Sequence, residues 1–218
     1  MSPPRVKICC IQNLAEAQMA IRYGASAVGL VSAMPSGPGP IDEETIAAIT
    51  KKIPPGVASF LLTSKPDAET IIAQQRFTHV NTLQLVDALP IETLTALRKE
   101  LPGVALVQVI HVRSEEALDE ALAVAPHVNA LLLDSGNPSL AVKVLGGTGR
   151  THDWKVSRAI REQSPVPVFL AGGLKPENVQ EAIDFVRPYG IDVCTGVRTN
   201  GSLDKTKLAA FFNRIHSQ

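Results

Sequence analysis

The sequence predicts an α/β fold, a single (β/α)8 TIM barrel over residues 1–218, and three observations lead there. Short runs rich in Val, Ile and Leu alternate with longer stretches of helical period, the pattern of repeated strand–helix units. Eight such runs occur, and 218 residues shared among them leave about 27 per unit, the size of a small barrel of this kind. The turn after the first run, CCIQN, holds no glycine, whereas the competing arrangement, a doubly wound open sheet, is expected to carry a glycine-rich turn there.

The first strand is VKICCI, residues 6–11. NLAEAQMAIRYG follows as a helix in which Asn13 can cap the start, Leu14, Ala17, Ala20 and Ile21 make an apolar stripe, and Gly24 closes the end. SAVGLV, 26–31, is the second strand. Behind it, SAMPSGPGPIDEE, 32–44, is rich in Pro and Gly and reads as a loop on the face where a barrel builds its site. DEETIAAIT then starts a helix with acidic residues in its first turn, where the helix dipole favours them. VASFLL (57–62), VNTLQL (80–85), VALVQV (104–109) and VNALLL (128–133) are the next four strands, each with a helical stretch behind it. VPVFLA (166–171) is the seventh, followed by the helix of KPENVQEAIDFV, and IDVCTG (191–196) is the eighth.

Composition narrows the partners. Lys and Arg number 21 against 21 Asp and Glu, with no basic block, so the footprint of a nucleic-acid binder is missing and a small molecule is the expected partner. No stretch approaches the roughly 20 apolar residues of a membrane helix, and MSPPRV lacks the apolar core of a signal peptide, so a cytoplasmic location is expected. Barrels of this size occur as monomers and dimers, which leaves a homodimer open. Cys9, Cys10 and Cys194 are an odd number; adjacent cysteines do not form a disulfide of ordinary geometry, and no second Cys or His pair falls at ligand spacing, so neither a disulfide nor a metal is expected.

A parallel barrel places its chemistry at the C-terminal ends of the strands. Three glycine segments fall there: LGGTGR (145–150), LAGGLKPEN (170–178) and CTGVRTNG (194–201). A lone Gly-Gly usually makes only a tight turn, but three such segments on one face suit a phosphate, because glycines let backbone N–H groups surround an anion and a following helix start adds its positive end. Asp134 closes the sixth strand; a carboxylate there is commonly a cap or turn former, and at the site face an acid or base role is the other reading. Alternation along the first strand puts Val6, Ile8 and Cys10 on one face and Lys7, Cys9 and Ile11 on the other. The wholly apolar face belongs under the helices, so Cys10 is expected outward and Lys7 and Cys9 inward. Cys9 is then either a base or nucleophile activated by polar neighbours or an inert packed thiol. His111 and His152 could line the site, though a lone loop His is more often surface or a hydrogen-bonding group. Trp154 is expected to pack at the start of the sixth helix with Asp153 as its cap, and Cys194 to be buried as a small apolar residue.

VKIC with NLAEA, ASAVGLV, LQL, LLLDS, GGTGRTHDW, AGGLKPENV and GIDVCTGV occur in an order that resembles the phosphoribosylanthranilate isomerase family over nearly the whole chain. The resemblance implies the Amadori rearrangement of a phosphoribosylamine to a ketose in tryptophan biosynthesis, with no metal or organic cofactor. It implies Cys9 as general base and Asp134 as general acid, the acid protonating the ribose ring oxygen and the base removing the C2 proton. It further implies a phosphate groove from Gly146, Gly147, Gly172, Gly173, Thr195 and Gly196.

Four departures stand out. Gly39 occupies the place of the family's arginine for the anthranilate carboxylate, Val86 and Asp87 replace His and Gly, Arg198 replaces a glutamate, and Cys10 sits where glycine is usual. Losing an arginine that pairs with a carboxylate costs on the order of 1.5–3 kcal/mol of binding. Arg150 and Arg198 lie on site-face loops as candidate replacements, or as solvated or phosphate-binding groups. Two further readings are therefore carried: an isomerase of another phosphorylated aminosugar or aldose, and a barrel that binds a phosphometabolite without catalysis.

Overall fold

The computed structural model of the protein describes residues 3–136 and 153–216. Eight strands close into a barrel in chain order: β1 (Arg5–Ile8), β2 (Ala27–Val31), β3 (Ala58–Thr63), β4 (Thr82–Leu85), β5 (Ala105–His111), β6 (Ala130–Asp134), β7 (Val168–Leu170) and β8 (Gly190–Val193). Closure comes from β1, whose Lys7 lies opposite Ala27 of β2 on one side and Asp192 of β8 on the other, all parallel. Outside lie α1 (Leu14–Arg22), α2 (Glu43–Thr50), α3 (Ala68–Thr78), α4 (Ile91–Glu100), α5 (Ala117–Val124), α6 (Trp154–Gln163), α7 (Val179–Val186) and α8 (Lys205–His216). A small antiparallel pair, β9 (Arg198–Thr199) with β10 (Ser202–Leu203), follows β8.

The period-2 alternation separates two cores. Val6, Ile8, Val28, Leu30, Leu61, Leu83, Leu131, Leu170 and Ile191 face outward and pack with helix residues such as Ala17, Ile46, Leu94 and Phe211. The inward set is smaller and mixed, with Ala27, Phe60, Val107, Ala130, Leu132 and Phe169 below and polar groups above. Each Leu or Ile withdrawn from water in the outer layer contributes about 1.5–3 kcal/mol, so this layer carries the fold and leaves the barrel mouth free for chemistry.

The helix starts follow the sequence. Asn13 accepts from the Glu16 N–H at 3.0 Å, Asp42 from Thr45, Asp67 from Thr70, and Asp153 from Lys155 at the start of α6, with Trp154 half-buried beside it. The strand ends do not all follow it. Runs expected at 6–11, 166–171 and 191–196 are ordered as strand only to Ile8, over Val168–Leu170 and to Val193. Apolar composition continues past the ladder where Cys9, Cys10, Ile11 and Ala171 are buried at the barrel mouth, whereas Pro167 and Thr195, also outside it, are exposed. No helix among the described residues is long and apolar enough to cross a membrane.

Candidate active site

One pocket opens at the C-terminal ends of the strands, lined from just past β1 by Cys9, from β4 by Gln84, from β6 by Asp134 and from β8 by Asp192. Its empty space, counted to the open mouth, is about 630 Å3, within the range for a small-molecule ligand. The polar groups at its floor are connected. Lys7, fully buried, donates to Asp192 Oδ1 at 2.9 Å and to Cys9 Sγ at 3.3 Å. Room for both side chains comes from Gly29 on β2, where a Cβ would lie 2.7 Å from Cys9 Sγ and 3.0 Å from Lys7 Nζ. A larger residue at that position would displace the thiol from the pocket.

The electrostatics follow from burial and this ion pair. Burial disfavours the Lys7 ammonium, but the charges of Asp192 and Cys9 outweigh it and hold its pKa above the ordinary lysine value. The Cys9 thiol is lowered, first by a hydrogen bond from Cys10 and then by the Lys7 charge, against burial and Asp192. Asp134 moves the other way: burial pushes it up to about 6, and the Asp192 charge adds to this, while the Ser135 N–H, 2.8 Å from Oδ1, and Lys7 offset part. The pocket therefore holds a thiol eased towards thiolate and a carboxyl eased towards its protonated form. Two groups of opposite tendency facing one space are what proton transfer to and from a bound molecule requires.

The glycine segments after β7 and β8 form the opposite wall. Gly172 and Gly173 both have positive φ, +82° and +65°, which bends the chain so that it lines the pocket with Ala171 and Leu174. Asn178 secures this bend by accepting from the Lys175 N–H and donating to the Gly173 carbonyl. Thr195 also lines the pocket, and Gly196 sits against the first loop so closely that a Cβ there would be 1.9 Å from the Leu174 carbonyl oxygen. The two loops are thus packed on each other as one unit. Gly146, Gly147, Arg150 and His152 lie outside the described residues.

Three expectations are corrected by the structure. Cys10 does not point outward under the helices. The β1 ladder ends at Ile8, Cys10 takes a left-handed backbone with φ +61°, and its side chain joins Cys9 in the inner cluster and the pocket wall. Strand alternation cannot be extended past the last ladder residue. Cys194 is half-buried at the pocket rather than enclosed. Arg198 does not line the pocket: it is 8 % exposed, and its guanidinium is committed to Glu16 at 2.8 Å and to the backbone carbonyls of Cys9, Cys10 and Gly201.

Other residues take quieter roles. His111 bonds the Val86 carbonyl through Nε2 at 3.0 Å, and burial lowers its pKa. The loop after β2 folds onto the pocket through Met34, Ser36, Gly37 and Pro38, and rejoins the barrel where Ile41 N donates to Val31 O. Sequence reasoning missed Asp192 and Gln84 as pocket residues. The signal was present in polar residues within the apolar runs IDV and LQL, each one residue before the last residue of its strand, Val193 and Leu85. Gln84 is 4 % exposed with its Oε1 unpartnered among the described residues, so a ligand donor would complete it. Among the described residues no group of three or more His, Cys, Asp or Glu is arranged to hold a metal ion.

Comparison with known proteins agrees with this architecture. Residues 6–214 match the family described as N-(5'phosphoribosyl)anthranilate (PRA) isomerase. The N-(5'-phosphoribosyl)anthranilate isomerase of Methanosarcina acetivorans is 36% identical over 97% of this chain and 92% of its own length. The crystal structure of phosphoribosyl anthranilate isomerase from Thermotoga maritima superposes with a TM-score of 0.84 at 31% identity, covering 99% of this chain and 100% of that one. A structure of the isomerase in complex with reduced 1-(o-carboxyphenylamino)-1-deoxyribulose 5-phosphate gives 0.81 at 30% identity, covering 99% and 100%.

Proposed function

The chain belongs to the phosphoribosylanthranilate isomerase family, and from that premise we propose that Cys9 and Asp134 carry the proton transfers of its Amadori rearrangement. The protein is an aldose–ketose isomerase of tryptophan biosynthesis that converts N-(5'-phosphoribosyl)anthranilate to the corresponding 1-amino-1-deoxyribulose phosphate. Asp134, held towards its protonated form by burial, gives its proton to the ribose ring oxygen as the C1–O bond breaks, leaving an iminium at C1. The Cys9 thiolate then takes the proton from C2, and the C–H electrons neutralise the iminium to an enamine. Tautomerisation of the enol at C2 gives the ketose, so atoms and charge balance without an oxidant or a metal.

Lys7 supports the base. Its ammonium, 3.3 Å from Sγ, favours the thiolate, and Asp192 keeps the ammonium in place. The phosphate is assigned to the wall lined by Gly172, Gly173 and Thr195, with Gly196 packed against the Leu174 carbonyl beside it; the family resemblance adds Gly146 and Gly147, which lie outside the described residues. A phosphate there anchors the substrate at one end and leaves the ribose over Cys9 and Asp134.

The observation that carries this reading is the placement of a thiol and a carboxyl with opposite pKa shifts on one pocket beneath two glycine loops. Cys9→Ser and Asp134→Asn are each expected to lower kcat by about 10²–10⁴-fold while the circular-dichroism spectrum is retained. Conversion of N-(5'-phosphoribosyl)anthranilate at the wild-type rate by either variant would remove that residue from the mechanism.

A further inference from the structure

Behind the pocket wall, outside the catalytic pair, lies a buried ion pair whose hydrogen bonds all go to the protein itself. Arg198 and Glu16 are 8 % and 7 % exposed, and neither lines the pocket. Glu16 accepts from the Gln12 and Leu203 backbone N–H groups at 3.1 and 2.8 Å and from both terminal nitrogens of Arg198 at 3.1 and 2.8 Å. The two terminal nitrogens of Arg198 also reach carbonyls, Gly201 from Nη1 and Cys9 and Cys10 together from Nη2, while its Nε has no partner among the described residues. Two consecutive carbonyls aimed at one nitrogen require a bend between them, and the bend is there, because Cys10 has φ +61°.

That conformation is costly for a residue with a Cβ and is retained only where the surroundings impose it. The turn is tethered on either side, Cys9 N to Val193 O at 2.8 Å and Ile11 N to Gly29 O at 2.9 Å, which leaves Cys10 as the free corner. Its side chain in turn abuts the loop after β2. A Cβ on Gly39 would fall 2.8 Å from Cys10 Cβ and 3.3 Å from its carbonyl oxygen, so the loop has closed down onto Cys10.

We propose that the Arg198–Glu16 pair is a positioning device: its guanidinium gathers the Cys9 and Cys10 carbonyls, holds Cys10 in the left-handed bend, and thereby fixes the direction of the Cys9 thiol and the seat of the loop over the pocket. Arg198 acts through Cys9 and Cys10 and touches no substrate. The inference rests on Cys9 being the base, as proposed above.

The test is a cycle between the ion pair and the bend. The paired substitution Glu16→Gln with Arg198→Met leaves no lone buried charge, and it is made in the natural background and in a Cys10→Gly background, where the bend needs no holding. Loss of kcat of about tenfold or more in the natural background, falling to about threefold or less with Cys10→Gly, is expected. An equal loss in both backgrounds, or a lowered Tm with unchanged kcat, overturns the proposal. Should the paired variant fail to fold, Arg198→Lys keeps the charge beside Glu16 but cannot span both carbonyls, and the same ordering is required of it. Site-resolved alkylation of Cys9 by iodoacetamide separates this from the mechanism. If Cys9→Ser retains turnover, the base assignment fails, while an effect of the ion-pair substitution on the alkylation rate that shrinks when measured within the Cys10→Gly background still reports the device; no effect on that rate, or one of equal size in both backgrounds, overturns it.

Discussion

Lys7 shows how one residue can be structurally expensive and chemically useful. A fully buried ammonium is tolerated because Asp192 lies 2.9 Å away, and the same ammonium lies 3.3 Å from the Cys9 thiol. Removing it leaves Cys9 facing burial and the Asp192 charge, both of which raise its pKa. Lys7→Gln is therefore expected to move the pH dependence of Cys9 alkylation to higher pH and to lower kcat at neutral pH. An unmoved alkylation profile would show that the hydrogen bond from Cys10 alone sets the thiol. The sequence placed Lys7 and Cys9 on the inner face correctly, since both lie on or next to the β1 ladder. It misplaced Cys10 because periodicity carries no information about where a ladder stops.

At the scale of elements, the loops after β7 and β8 work as a pair. Each alone would be a glycine turn, but the contact of Gly196 with the Leu174 carbonyl makes the position of one depend on the other. Gly196→Ala forces a Cβ to within 1.9 Å of a backbone oxygen, which only a shift of the loop can relieve. The expected outcome is a rise in KM of about tenfold and weaker inhibition by inorganic phosphate, with kcat changed much less, because the phosphate wall and the acid–base pair lie on different strands. A kcat loss equal to the KM effect would mean that the loops also position the reacting groups. The glycine segments were legible in the sequence as turns on one face; their mutual contact was not, since Leu174 and Gly196 lie 22 positions apart and packing alone joins them.

At the scale of the whole molecule, the site draws on global stability. Asp134 has a pKa of about 6 in the folded protein against an ordinary 3.8, so the folded state holds its proton more tightly than the unfolded chain does. The associated stabilisation is fully present below pH ~3.8 and is lost as the pH rises through about 6, a penalty on the order of 3 kcal/mol at neutral pH. Asp134→Asn, which cannot ionise, is expected to unfold at higher denaturant concentration than the natural protein at pH 7.5 and at a similar one at pH 4. Equal midpoints at pH 7.5 would show that folding does not raise the pKa of this carboxyl. A residue whose replacement raises stability and abolishes turnover is retained for its chemistry.

The amino-acid sequence by itself determined the repeating units, the order of the eight strands, the division into an outer apolar layer and a mixed interior, and the glycine loops at one face. Those features depend on local periodicity, on caps such as Asn13 and Asp153, and on short motifs, and all of them act within one or two turns of chain. Only the tertiary structure decided that Lys7 of the first strand pairs with Asp192 of the last, that Cys10 turns into the pocket, and that Arg198 grips Glu16 behind it. The physical reason is barrel closure, which brings β1 beside β8 across 185 positions and lets burial and charge act between groups that no sequence spacing connects.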